Sequence, residues 1–74
     1  TDMGIKWRTI EKDGLPPVGT FCLCKMSDTY SSCGYMILSV SSIAGNKLFM
    51  LYDLICPKGE VIRYIPITEL DKED

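Results

Sequence analysis

The sequence predicts an all-β domain: a small barrel or sandwich of four to five antiparallel strands, closed by a short helical turn near the C-terminus. Three observations lead there. Runs rich in aliphatic, aromatic and β-branched residues recur at short intervals between Gly, Pro, Asn and Asp turn signals. No stretch carries the i, i+3, i+4, i+7 apolar spacing of an amphipathic helix. And 74 residues leave room for one domain, 1–74, with a small core.

Each element follows from its residues. Residues 1–5 read as a flexible N-terminus, and residues 5–10 alternate, with Ile5, Trp7 and Thr9 on one side, as a short edge strand would. Asp13-Gly14-Leu15-Pro16-Pro17-Val18-Gly19 follows. Its prolines remove two backbone donors and fix φ, so it is a rigid extended lead-in and not a strand interior. The first strand, residues 20–25, sets Phe21 and Leu23 against Cys22 and Cys24. Residues 27–32 are a polar loop. The second strand, residues 35–42, aligns Met36, Leu38 and Val40, and Ala44-Gly45-Asn46 turns the chain. The third strand, residues 47–53, is apolar on both faces, with Leu48, Met50 and Tyr52 against Phe49 and Leu51. Such a strand is buried on both sides. Either the N-terminal segment covers its second face, or another chain does. Pro57-Lys58-Gly59-Glu60 is a turn, residues 61–65 the fourth strand, and Pro66 ends it. One helical turn from Thr68 leads into an acidic tail, residues 69–74.

Charge and composition exclude several functions. The chain has no histidine, so it holds no Ser-His-Asp or Cys-His machinery and no zinc-bound imidazole. Its net charge is −2, with four acids and one base in residues 69–74, so the body is near neutral. A near-neutral, apolar body favours protein contacts over capture of a polyanion. No segment is long and apolar enough to span a membrane, and the first residues lack the basic start and apolar stretch expected of a signal peptide. The expectation is a cytoplasmic protein.

Cys22, Cys24, Cys33 and Cys56 are the main candidates for chemistry. A four-cysteine zinc site normally draws on paired knuckles, two cysteines separated by two to four residues. Here only Cys22 and Cys24 are close, with a single residue between them. Their same-face separation of about 6.6 Å along a strand is awkward for a disulfide. Reduced, buried thiols acting as small hydrophobes are the simplest reading, with no metal or cofactor. Carboxylate catalysis would need converging acids, whereas Asp13, Asp28 and Asp53 sit at loops or strand ends, where turn chemistry explains each more simply. The residues suited to anchoring a protein partner are Tyr30, Tyr35, Phe49 and Arg63. Nucleic-acid binding through tyrosines beside Lys25, Lys47 and Arg63 is the alternative. A zinc-binding structural domain built on the four cysteines is the second alternative.

The stretch Asp13-Gly14-Leu15-Pro16-Pro17-Val18-Gly19-Thr20-Phe21-Cys22, preceded by Trp7 and closed by Tyr64, Pro66 and Ile67, resembles small uncharacterised proteins of bacteriophages and prophages that carry a "GLPPVGT" motif. The resemblance implies an SH3-like β-barrel with Cys22 and Cys24 pointing inward. It implies a phage or prophage accessory protein in the bacterial cytoplasm. Its expected partner is a host protein or complex, a host enzyme or a defence system inhibited in an anti-CRISPR-like manner, or else a second copy forming a homodimer.

Overall fold

The computed structural model describes residues 5–30 and 34–70. The N-terminal residues 1–4, residues 31–33 with Cys33, and the tail residues 71–74 lie outside the described residues. Five antiparallel strands form one sheet: β1 Phe21–Met26, β2 Tyr35–Ile43, β3 Asn46–Leu51, β4 Leu54–Cys56 and β5 Val61–Pro66. They lie in the order β4-β3-β2-β1-β5. Two single-turn helices, α1 Ile10–Asp13 and α2 Ile67–Leu70, flank them.

Tight turns set the register. Ala44 and Gly45 both have positive φ, 54° and 83°, the geometry of a two-residue hairpin loop that follows the strand twist. β2 and β3 are thereby paired from Ile43↔Asn46 to Ser39↔Met50. Tyr52 and Asp53 make a second two-residue loop, which ends β3 at Leu51 and starts the short β4. Residues 47–53 therefore do not form one strand: Tyr52 turns the chain at φ 57°.

Alternation then sorts the side chains. Cys22, Cys24 and Met26 of β1, Leu38 and Val40 of β2, Phe49 of β3, Cys56 of β4 and Tyr64 of β5 converge on one face and are buried. Phe49 and Tyr64 belong to strands three places apart, about 14 Å in a flat sheet. Their ring centroids lie 5.5 Å apart, edge to face. The sheet is curled around this core, and the core faces form its concave side.

The N-terminal segment straps across the concave side. Ile10 and Leu15 pack on the core, and the Tyr64 hydroxyl donates to the Gly14 carbonyl. Farther on, Gly19 N–H donates to the Val40 carbonyl at 2.8 Å. Residues 5–10 are not an edge strand. Arg8 alone bridges β5, exchanging two 2.8 Å hydrogen bonds with Tyr64, and the chain then turns into α1. Thr9 caps α1: its hydroxyl accepts from Lys12 N–H at 3.2 Å, and its own N–H donates to Asp13 Oδ2 at 3.0 Å.

The third strand shows where its two faces go. Phe49 is fully buried in the concave core, with Leu51 beside it. Leu48 and Met50 point to the convex side and are half-buried. The N-terminal strap covers the concave face, so it is not the cover expected for the second face of β3. No helix among the described residues is long and apolar enough to cross a membrane.

Candidate functional site

The convex side of the sheet carries two adjoining features. The first is a row across three strands. Lys25 lies between the inward-facing Cys24 and Met26, so its side chain emerges on the convex side. It pairs with Tyr35 on β2 and with Arg63 on β5. Lys25 Nζ stands 4.9 Å from the Tyr35 ring centroid. Because Arg8 is bridged to β5, Trp7 beside it reaches the row. The Arg63 guanidinium lies 4.8 Å from the Trp7 ring, and that ring lies 6.2 Å from Tyr35, tilted by 43°. Two cations and two aromatic rings are thus interleaved, each cation against a ring face.

Gly34 adjoins this packing. Its φ is 86°, and a Cβ built on it would sit 3.2 Å from Lys25 Nζ. Neither Lys25 nor Arg63 is ion-paired among the described residues, where the one salt bridge joins Arg8 to Glu69 at 3.8 Å. Arg63 Nε is buried without a hydrogen-bond partner among the described residues.

The second feature is an apolar groove of about 360 Å³ at the other end of the convex face. Ser39 has Phe21 opposite it on β1 and Met50 opposite it on β3. A small side chain between two large ones leaves a dip. Ile37, Leu51 and Tyr52 complete its walls. Phe21 is 58% exposed, Ile37 54% and Tyr52 90%. The Tyr52 ring is held there by a left-handed backbone that an L-residue adopts only at a cost of about 1–2 kcal/mol.

The four residues singled out in the sequence are divided by the fold. Tyr35 and Arg63 join the cation–aromatic row. Tyr30 does not: its turn, fixed by Tyr30 N–H donating to the Ser27 carbonyl at 3.1 Å, places it beside Cys56. There the negative charge available to Cys56, followed by burial, raises the pKa of the Tyr30 hydroxyl. Phe49 is corrected outright as a surface anchor. It has no exposed area, because its inward position on β3 makes it the partner of Tyr64 in the core.

Among the described residues the thiols are core groups. Cys22 and Cys24 point inward, and with Cys56 they are free and buried. Burial pushes Cys22 up to about 11, with the Arg8 charge opposing. Burial, then the charges available to Cys22 and Cys56, pushes Cys24 up to about 12. Both are protonated at neutral pH and are poor nucleophiles and poor metal ligands there. Among the described residues no three His, Cys, Asp or Glu side chains are grouped to hold a metal ion.

Sequence reasoning missed Trp7, Phe21 and Ile37 as site residues, and weighed Tyr52 only among the tyrosines available to stack on nucleic acid. For Phe21 and Ile37 a signal is present. β1 and β2 are apolar on both faces, as β3 is, and a two-sided strand in so short a chain points to an uncovered face. Trp7 carries a weaker signal, a large ring in a short segment with few neighbours to bury it. Comparison with protein-family models, with curated proteins and with solved structures finds no match to this chain.

Proposed function

We propose that this chain is a non-catalytic protein-binding module with an SH3-like barrel, of phage or prophage origin and cytoplasmic in its bacterial host. It acts by occupying a surface of a host enzyme or defence complex. One observation carries the reading. The convex face leaves Phe21 and Ile37 more than half exposed beside a groove, while the concave face holds the main core cluster. A chain of 74 residues needs only one apolar face to fold, so the second is available for a partner. Its near-neutral charge suits a protein surface better than a polyanion.

The test is capture from bacterial lysate by the native domain and by a Phe21→Glu/Ile37→Glu variant with an unchanged circular dichroism spectrum. A partner held by the first and lost by the second supports the reading. A partner held equally by both, or binding to nucleic acid whose affinity falls steeply with salt, refutes it.

A further inference from the structure

We infer that the convex face recognises a protein segment bearing two groups: an apolar side chain that fills the Ser39 groove, and a carboxylate that meets Lys25 and Arg63. The inference rests on the protein-binding reading and adds the chemistry of the partner.

The spacing follows from β2. Ser39 forms the floor of the groove, and Tyr35 lies four residues earlier on the same strand and the same face. Four residues at about 3.3 Å each put the two ends about 13 Å apart. A segment extended along β2 therefore presents its apolar residue and its Asp or Glu four positions apart.

Charge decides the second group. The convex-facing positions of β1, β2 and β3 carry no acid, and with Arg63 of β5 they supply two cations at one end. Both cations lack an ion-pair partner among the described residues. A carboxylate fits this deficit. A second copy of the chain fits it less well, since its own convex strand positions bring no acid. A nucleic-acid strand fits less well too. Two cations neutralise at most two phosphates, and the groove between them and Tyr52 is apolar.

Tyr52 supplies independent support. Glycine is the residue its backbone conformation favours, yet a tyrosine stands there with its ring in solvent at the rim of the groove. Strain kept at an exposed position points to use of the side chain.

The experiment is selection from a random linear peptide library on the native domain, with synthetic copies of the selected peptides as the measured probes. Expected peptides carry an aliphatic or aromatic residue and an Asp or Glu four positions apart. Ser39→Trp, which fills the groove, and Lys25→Glu/Arg63→Glu each weaken their binding by about tenfold or more, with the fold verified by thermal melting. Selection repeated on Lys25→Glu/Arg63→Glu returns Lys or Arg in place of the acid. Peptides lost on Ser39→Trp but indifferent to the charge reversal overturn this inference and leave the protein-binding reading standing. Peptides indifferent to both changes overturn both. So does binding of an oligothymidylate probe in place of peptides. A dimer in native mass spectrometry that Ser39→Trp dissociates overturns the inference by showing a second copy in the groove.

Discussion

Phe49→Ala separates a core ring from a surface anchor. The ring is fully buried and packs edge-on against Tyr64 at 5.5 Å. Truncating such a residue costs about 3–5 kcal/mol, through lost apolar burial, the cavity left behind and the lost ring pair. At roughly 0.05–0.15 kcal/mol per residue, a 74-residue domain has only about 4–11 kcal/mol in total. The variant is therefore expected to be largely unfolded or close to it. Urea denaturation followed by circular dichroism reads this directly. With m near 1 kcal/mol/M for so small a domain, the midpoint falls by about 3–5 M, and Phe49→Leu falls by much less. A Phe49→Ala midpoint within about 1 M of the parent would refute the core assignment and return Phe49 to the partner anchors.

Three further outcomes follow from the same geometry. Cys22 and Cys24 are held at about 11 and about 12, above the 9.0 of a free thiol, so their stabilising contribution is complete below pH 9 and is lost as pH rises toward those values. Stability should fall by about 1.4 kcal/mol per pH unit per thiol above pH 9, and a profile no steeper than that of Cys22→Ala/Cys24→Ala would contradict their burial. Tyr64→Phe deletes the donor to the Gly14 carbonyl; about 1 kcal/mol of lost stability is expected, with faster amide exchange in the strap, and unchanged exchange would mean the bond does not hold it. Tyr52→Gly relieves the left-handed backbone and should raise stability by roughly 0.5–1 kcal/mol once the freedom glycine regains on unfolding is subtracted, read as a higher urea midpoint, whereas a lower midpoint would show that the ring itself stabilises the fold.

Period-two alternation made the inner face legible. Cys22 and Cys24, Met36, Leu38 and Val40 needed only their spacing to be grouped, because a strand offers just two faces. Turn chemistry located the Ala44–Gly45 hairpin for the same local reason. What the sequence hid depended on tertiary context. Asp53 alone hints at a turn; Tyr52 hides the two-residue loop, since tyrosine is a poor residue for a positive φ, and β4 is hidden with it. α1 is one capped turn, too short for any periodicity to reveal. The cation–aromatic row joins residues 7, 25, 35 and 63, which only the strand order and the Arg8 bridge bring together. Half of the expected anchors belong to it because Tyr35 and Arg63 both flank Lys25 across the sheet.

The curl of the sheet also explains why the two faces differ in composition. A tightly curled sheet has less room on its concave side than on its convex side. Three of the buried concave residues are cysteines, small and free of any obligatory hydrogen bond, and they leave space for the rings of Phe49 and Tyr64 to meet. Enlarging a thiol position would press against those rings and open the curl. On the convex side the side chains diverge, and the Trp7 segment lies over only one end of them. Phe21 and Ile37 are exposed because the curvature that gathers the core spreads the opposite face. The same curvature sets Ser39 as the floor of a groove and not merely a gap in a flat surface, so the feature that stabilises so small a domain also shapes its candidate binding face.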